Sequence, residues 1–450
     1  MSSSQDTKQA HFNVFLRAAG HHAAAWRHPS TTPELTFQFD YYKRLALTAE
    51  RGLLDSVFMA DGYVGTGRRL EPFTLLSALA AVTTNLGLIG TVGTTYNEPF
   101  HVARKFASLD RISGGRSGWN IVTGHTDETA FNFGKQSHLE HSERYRWAEE
   151  FVEVTKQLWD SWEEDALVFD KAKGIQFDDS KLHEINYEGK VYKVKGPLNI
   201  PRPPQGYPVL VQAGSSESGK ELAAQTAEVV FTAQPTLAEG KAFYADVKGR
   251  LARYGRTPDQ ILILPGFSPI IGDTRAEAQE LEDELNSFHD IDRHIAALSE
   301  RFGIDLTGYP LDAPVPEILN PKGIEDVNGS KSRHQLILDM LRSDANLTLR
   351  QVVNRLSAAR GHLTFTGTPI EVADVIEQWL DEQGADGFNL MPPIYPEGLD
   401  SFIDKVVPEL QNRGRFRTAY EGATLRENLG LAVPANRFSA SAASGIASAN

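Results

Sequence analysis

Short apolar runs alternate with longer amphipathic segments along most of the chain. The runs are almost continuously apolar, which is typical of parallel strands that are buried on both faces. Between them, segments such as 41–51, 72–83 and 101–111 space their apolar residues with the period of a helix. Eight strands with helical partners predict an α/β fold, a (β/α)8 TIM barrel with insertions. The predicted strands are 11–19, 53–62, 86–91, one that ends at 120–123, 209–214, 229–233, 261–269 and 387–393.

Two long segments interrupt this rhythm. Residues 163–207 are a polar excursion that ends in a proline cluster, and residues 274–359 are charged, helical material with a proline-rich centre. Insertions of this length in a compact domain are often lids or binding segments, so the second one is a possible lid. We expect one barrel domain over 10–431, between a flexible tail at 1–9 and a disordered, low-complexity tail at 432–450.

Polar residues stand at the ends of several predicted strands. They are Asp61, Thr95, Asn120, Thr123 and Ser215. In a barrel of this type the carboxyl ends of the strands meet at one rim, which carries the active site. We therefore expect these side chains to share one rim.

The stretch 113–145 combines a turn, a buried strand, a polar loop and a predicted helix that carries His138, His141 and Tyr145. The spacing i, i+3 and i+7 would place the three side chains on one helix face. A single histidine or tyrosine on a helix is more often a structural group than a catalytic one. Next to a strand end, however, the three together predict a functional site.

Two histidines at i and i+3 also fit a shared metal ion. The nearest further ligands are Glu140 and Glu143, which would point away from that helix face. The sequence therefore favours a site without a metal.

The motif QAGSSESG joins a predicted strand to a predicted helix and offers the hydroxyls of Ser215 and Ser216. Unpaired amides and the helix dipole at such a joint favour an anion such as phosphate, although an ordinary serine N-cap explains the same residues. With His141 and Tyr145 supplying further hydrogen bonds, the rest of a ligand would lie across the rim toward Asn120. The pattern favours a phosphate-bearing cofactor over a small substrate.

Composition narrows the class of protein. The 450 residues include 45 Lys and Arg against 59 Asp and Glu, a formal net charge of −14, so the basic footprint of a nucleic-acid-binding protein is absent. Cysteine is absent from the sequence, which excludes disulfides, a thiolate nucleophile and cysteine-ligated metals. The sequence shows neither a signal peptide nor a long apolar run, so we expect a cytoplasmic protein that does not enter the membrane.

Several motifs together carry a family resemblance. They are WRHP, the strand-end ADG, ISGGRSGWNIVTG, HLEHSERY, VQAGSSESG, GFNL and VVPELQ. The chain resembles the bacterial luciferase-like flavin-dependent monooxygenases, in the branch that contains nitrilotriacetate monooxygenase component A, dibenzothiophene sulfone monooxygenase and long-chain alkane monooxygenase. The resemblance covers about residues 12–431 and agrees with the barrel that the pattern predicts.

The resemblance implies a two-component system. A separate NAD(P)H-dependent flavin reductase would supply reduced FMN, and this chain would use it with O2 to insert one oxygen atom into a small organic substrate. That substrate is sulfur-containing or aromatic on one interpretation of the histidines and tryptophan in the first loop. The family also implies a homodimer or homotetramer.

The family's functional residues transfer to positions of this sequence that match its motifs. His138 and His21 are the implied catalytic groups, because histidine exchanges protons near neutral pH. The implied FMN contacts are Asp61, Thr95, Asn120, Thr123, His141, Tyr145, Ser215 and Ser216.

Three alternatives stay open at this point. A deazaflavin-dependent oxidoreductase and a non-catalytic flavin-binding protein share the same barrel. A metal-dependent hydrolase would need a set of histidines and carboxylates at several strand ends, where Asp61 is the one acidic residue.

Overall fold

A computed structural model describes residues 8–64, 69–124, 126–288, 290–315, 337–338, 340–341 and 346–439. Among these residues, eight parallel strands form a closed barrel, which confirms the predicted (β/α)8 fold. Each strand pairs with its neighbours in the sequence, and the barrel closes where His11 pairs with Gly387. The barrel strands are β1 His11–Phe15, β2 Ser56–Met59, β3 Gly87–Gly93, β4 Ser117–Val122, β5 Val209–Gln212, β6 Val229–Thr232, β7 Leu262–Ile271 and β8 Gly387–Leu390.

Helices follow the strands and begin where the sequence supplies caps. Thr236, Thr274 and Thr368 each start a helix with a capping box, in which the threonine and a glutamate three residues later bond each other's backbone amides. The α-helices are Phe39–Arg51, Pro72–Ala80, Pro99–Ser113, Asp127–Asn132, His141–Asp160, Glu217–Thr226, Leu237–Arg250, Arg275–Ser287, Ile291–Phe302, Leu349–Ala359, Pro369–Asp381, Glu397–Ser401, Val407–Asn412 and Leu425–Asn428. A π-helical turn, Phe402–Val406, joins Glu397–Ser401 to Val407–Asn412, so the expected closing helix is continuous.

An additional strand, Leu363–Gly367, lies outside the barrel. It pairs in parallel with Phe267–Ile271, the second half of β7, which runs two residues beyond its predicted end. This outer strand was not predicted. Its short sequence with alternating threonines lies directly after the long insertion, where the alternation of apolar strands and amphipathic helices is interrupted.

Both insertions contain regular structure. Residues 163–207 form two antiparallel hairpins, Leu167–Asp170 with Ile175–Phe177 and Tyr187–Glu188 with Lys193–Val194. The described part of 274–359 includes a separate hydrophobic cluster around Ile295, Leu298 and Val352. Residues 289, 316–336, 339 and 342–345 lie outside the described residues, and the possible lid role of this insertion stays a prediction.

The lower end of the barrel, at the amino ends of the strands, is filled by the plug segment, which we define as residues 425–431. Leu425, Leu429 and Leu431 pack against inward-facing residues of the barrel, including Phe58 and Leu264. A side chain on β3 would block this packing, since a Cβ at Gly87 would lie 2.5 Å from Leu425 Cδ1. The last part of the sequence therefore completes the core.

The two predicted tails are shorter than expected. Lys8 Nζ lies 2.8 Å from Asp386 Oδ1, so this residue belongs to the folded domain. At the other end, the Asn436 amide donates to the carbonyl of Asp160 at 3.0 Å, and Arg437 pairs with Glu153 at 2.8 Å. Assigning residues 434–439 to a disordered tail was wrong, because low-complexity composition begins only after these polar anchors. Residues 1–7 and 440–450 lie outside the described residues.

Candidate active site

The strand ends of β2 to β5 bring the predicted polar residues to one rim. Thr95 and Thr123, which follow β3 and β4, are in direct contact: the Thr95 hydroxyl donates to the Thr123 carbonyl at 2.7 Å. Asp61 follows β2, and its Oδ1 accepts the Gly62 amide at 2.8 Å. Burial raises the pKa of the Asp61 carboxyl above its ordinary value. These residues therefore lie just past the carboxyl ends of adjacent strands, and their role as cofactor contacts stays a prediction.

Asn120 points from β4 into the barrel. Its Nδ2 donates to the Thr91 hydroxyl on the neighbouring β3 at 2.8 Å. Its Oδ1 is buried and has no hydrogen-bond partner among the described residues. Because a buried acceptor without a partner costs free energy, this atom is a candidate ligand contact.

The residues of the predicted anion site lie at the start of helix Glu217–Thr226. Ser216 caps the helix by accepting the Gly219 amide at 3.1 Å, so the ordinary N-cap role is also met. The Tyr145 hydroxyl lies 3.4 Å from Ser216 Oγ, and the Tyr145 ring centroid lies 4.9 Å from that of His141. Ser215 precedes the cap. Two neighbouring strand ends thus place hydroxyls, an imidazole and a helix N-terminus around one volume.

The prediction that His138, His141 and Tyr145 share one helix face was wrong. The helix begins at His141, with Glu140 as its N-cap. His138 lies in the preceding loop, where its backbone amide donates to Asp127 Oδ1 at 2.8 Å. The Asp127 side chain therefore fixes a non-helical path just before the predicted helix face begins.

His138 still reaches the rim, because Tyr96 orients its ring. Tyr96 Oη and His138 Nδ1 are 2.6 Å apart, and the two rings stack at 5.5 Å. Burial raises the pKa of the Tyr96 phenol above its ordinary value. A phenol that donates to Nδ1 of a neutral imidazole leaves the imidazole proton on Nε2. A Cβ at Gly124, just past β4, would lie 3.0 Å from that nitrogen, so Nε2 faces the strand end.

His21 is placed differently from the expectation. It is 1% exposed, and its Nε2 lies 2.8 Å from the Phe15 carbonyl. Burial and then the charge of Arg17 hold the pKa of His21 well below its usual range, so the ring is neutral. Its one ring proton is committed to the Phe15 carbonyl. This hydrogen bond engages the ring proton, and a catalytic role for His21 stays a prediction.

Three residues near the rim were not predicted as site residues. Tyr96 directly follows the threonines after β3, and its position at that strand end could have indicated a place in the site. Arg144 lies inside the HLEHSERY motif, is 5% exposed, and has an Nε with no hydrogen-bond partner among the described residues. His362 stacks flat on Phe231 of β6, with ring centroids 5.1 Å apart. Because His362 comes from the end of the long insertion, no local motif marks it.

The described part of the chain contains no cluster of three or more His, Asp or Glu side chains arranged for a metal. It also contains no helix long and apolar enough to cross a membrane.

A (β/α)8 barrel with polar side chains and a helix N-terminus at the carboxyl ends of its strands has the architecture of an enzyme active site. The sequence profile described as luciferase-like monooxygenase matches residues 14–387. The chain belongs to the luciferase-like monooxygenase family.

Individual relatives agree with this assignment. The chain is 49% identical to N-acetyl-S-(2-succino)cysteine monooxygenase of Bacillus subtilis (strain 168), over 96% of this chain and 98% of the relative. It is 48% identical to nitrilotriacetate monooxygenase component A of Aminobacter aminovorans, over 95% of this chain and 98% of the relative. The crystal structure of DmoA from Hyphomicrobium sulfonivorans superposes with a TM-score of 0.84 at 32% identity, over 96% of each chain. The protein is a flavin-dependent monooxygenase.

The Tyr96→Phe variant tests the orientation of His138. Without the phenol hydroxyl, His138 Nδ1 loses its hydrogen-bond partner and the ring is free to change tautomer. We therefore expect kcat to fall about tenfold, which corresponds to the free energy of one hydrogen bond. Affinity for the reduced flavin should stay unchanged, because Tyr96 is not among the predicted cofactor contacts. Steady-state kinetics with Tyr254→Phe, a change at an exposed tyrosine, as control would measure this. A Tyr96→Phe enzyme with normal kcat would show that the tautomer does not limit turnover.

Proposed function

We propose that this monooxygenase uses reduced FMN, supplied by a separate NAD(P)H-dependent flavin reductase, and O2 to transfer one oxygen atom to a small organic substrate. The observation that carries the choice of FMN is the anion site, where Ser216 caps a helix at a strand end and the Tyr145 hydroxyl approaches it at 3.4 Å. A phosphate is the group that such a site favours.

The donor set of the rim fits FMN. Ser215, Ser216, Tyr145 and His141 would hold the phosphate. The edge of the isoalloxazine ring carries an imide N–H, and the buried Asn120 Oδ1 is an acceptor without a protein partner among the described residues. Asp61, Thr95 and Thr123 supply further polar groups along the same rim.

The reduced flavin supplies the electrons that activate O2; one oxygen atom goes to the substrate and the other leaves as water. The chain's own residues do the remaining work. We assign Tyr96 as the donor to His138 Nδ1, 2.6 Å away, so that His138 holds a proton on Nε2 for the reaction. Phe15, Phe58 and Phe231 form an aromatic base with ring centroids 5.2 to 5.8 Å apart, which excludes water from the barrel interior below the site.

The names of two relatives support further parts of the proposal. The nitrilotriacetate enzyme is a component A, which fits an oxygenase that depends on a second component. Both its substrate and N-acetyl-S-(2-succino)cysteine are small molecules with several carboxylates, which favours a carboxylated substrate here. We extend the proposal to a cytoplasmic homodimer or homotetramer, for which light scattering and cell fractionation are the tests.

Anaerobic titration of the purified chain with reduced flavins tests the cofactor. Reduced FMN should bind at least about tenfold more tightly than reduced riboflavin, since hydrogen bonds to a charged group contribute about 1.5–3 kcal/mol. The Tyr145→Phe and Ser215→Ala variants should narrow this difference, and Tyr254→Phe should not. Equal affinity for the two flavins, or preference for a reduced deazaflavin, would contradict the proposal.

A further inference from the structure

Four rings stand in contact beside the predicted cofactor residues. They belong, in spatial order, to Tyr63, Phe133, Tyr96 and His138, and we call them the aromatic row. Phe133 lies flat on Tyr96, with ring centroids 4.6 Å apart and an interplanar angle of 9°. On its other side it packs at 78° to Tyr63, with ring centroids 5.0 Å apart. Phe133 therefore contacts the residue that holds the proposed catalytic imidazole in place.

The aromatic row is assembled from three separate connections. Tyr63 follows β2, Tyr96 follows β3, and Phe133 and His138 lie in the connection between β4 and helix His141–Asp160. The barrel strands end before these residues. Contacts between the connections therefore set the position of each ring relative to the next.

Hydrogen bonds anchor the outer end of the aromatic row. Asn97 Nδ2 donates to the Tyr63 hydroxyl at 3.0 Å and to the Gly93 carbonyl at 2.8 Å. The amide of Asn132, next to Phe133 in the chain, donates to the Tyr63 carbonyl. Tyr63 is thus a fixed surface against which Phe133 packs.

Two phenylalanines in this connection differ in their contacts. Phe131 is 58% exposed and makes no ring contact with a described residue. Phe133 is 40% exposed, although it packs on Tyr63 and Tyr96. Because Phe133 is a partly exposed residue outside the hydrophobic core, we expect its replacement to leave the barrel folded. Its contact with Tyr96 can therefore be tested separately from stability.

We propose that Phe133 is a positioning residue for oxygen transfer: by packing flat on Tyr96 it fixes the phenol, and the phenol fixes the imidazole of His138. The inference rests on the proposed function, in which His138 holds a proton for the reaction. A hydrogen bond alone holds Tyr96 Oη and His138 Nδ1 together and lets the two side chains swing as a pair. The flat contact with Phe133 removes that freedom, and proton transfer requires a donor in a defined direction.

The first test measures turnover with a flavin reductase, FMN, O2 and either nitrilotriacetate or N-acetyl-S-(2-succino)cysteine, whichever acid the enzyme oxidises. Phe133→Leu keeps an apolar side chain and removes the ring, so kcat should fall about 3- to 10-fold, which corresponds to the free energy of one aromatic pair. The affinity for reduced FMN should stay unchanged. Phe133→Tyr, which keeps the ring, should recover most of kcat, and Phe131→Leu is the matched control. An equal loss in Phe131→Leu and Phe133→Leu would overturn the inference.

A double variant decides whether Phe133 acts through Tyr96. If it does, Tyr96→Phe combined with Phe133→Leu should lose no more kcat than Tyr96→Phe alone, because the hydroxyl that Phe133 orients is already absent. Losses that multiply in the double variant would show that Phe133 acts independently of Tyr96, and they would overturn the inference.

The second test needs neither flavin nor substrate. NMR spectra of the chain with nitrogen-15-labelled histidine, at about pH 8 where an ordinary histidine is neutral, report which ring nitrogen carries the proton. The signals that disappear in His138→Gln identify this residue. Wild type and Phe131→Leu should show one protonated and one unprotonated nitrogen, and in Phe133→Leu the two signals should move toward each other as the tautomers mix.

The two tests separate this inference from the proposed function. Unchanged His138 signals in Phe133→Leu would overturn the positioning role even if the enzyme is an active FMN monooxygenase. Failure to bind reduced FMN would instead contradict the proposed function, and the spectra would still decide whether Phe133 positions the imidazole.

Discussion

The His138→Ala variant should lose about 100- to 10,000-fold in kcat, the range that general acid–base catalysis contributes. The structure gives two reasons for so large an effect. Tyr96 lies 2.6 Å from Nδ1 and holds the ring in place, and the backbone amide of His138 donates to Asp127. In the proposed tautomer, with Tyr96 as the donor to Nδ1, the imidazole presents one defined proton at the rim. Rapid mixing of the reduced enzyme–flavin complex with O2 and substrate, with product measured directly, would quantify the loss.

His141→Ala is the matched control for this experiment. His141 begins the helix whose Tyr145 approaches the anion site, so its removal should weaken the binding of reduced FMN more than it lowers kcat at saturation. If His138→Ala reduced the affinity for flavin and left kcat intact, the two histidines would have exchanged roles. Normal turnover by His138→Ala with flavin bound would exclude a catalytic role for this residue.

Arg426→Met should lower the free energy of unfolding by about 3–5 kcal/mol, the usual cost of breaking a buried ion pair. Arg426 is 0% exposed and lies in the plug segment. Its guanidinium bonds both carboxylate oxygens of Glu228 and donates to the carbonyls of Gln205 and Tyr207 at 3.1 Å each. Methionine fills a similar volume and leaves Glu228 and these carbonyls without their donor.

Urea unfolding followed by tryptophan fluorescence would measure the change in midpoint. The double variant Arg426→Met with Glu228→Gln should recover part of the loss, because the remaining partner no longer carries a charge. Arg253→Met, at an exposed surface position, should leave the midpoint unchanged. A midpoint unaffected by Arg426→Met would mean that the plug segment is held by its leucines alone.

The sequence was sufficient to predict the barrel because most of its strands lie in nearly continuous apolar runs. That pattern follows directly from burial on both faces, and all eight predicted strands overlap barrel strands of the structure. The outer strand Leu363–Gly367 was missed because it depends on pairing with the far half of β7. The order at 434–439 was missed for a similar reason, since Asn436 and Arg437 gain their partners only from distant segments.

For the candidate site, local sequence predicted which residues stand at strand ends and much less about how their side chains are oriented. Position along a strand decides which residues stand at its end. The orientation of their side chains depends on hydrogen bonds between residues that are apart in the sequence, such as Tyr96 with His138 and His21 with the Phe15 carbonyl. His362 shows the limit most clearly, because its place over Phe231 follows from a glycine on another strand.

The plug segment also has a consequence for how the protein is made. Its leucines come after the last barrel strand, so a ribosome delivers every strand before the group that seals the lower opening. Until residues 425–431 emerge, Phe58, Val211 and Leu264 have no cover on that side, and a nascent chain is exposed to chaperones or to aggregation there. Loss of the last few dozen residues, as by a premature stop codon, would therefore act as a folding defect even though every strand and every proposed catalytic group had been synthesised.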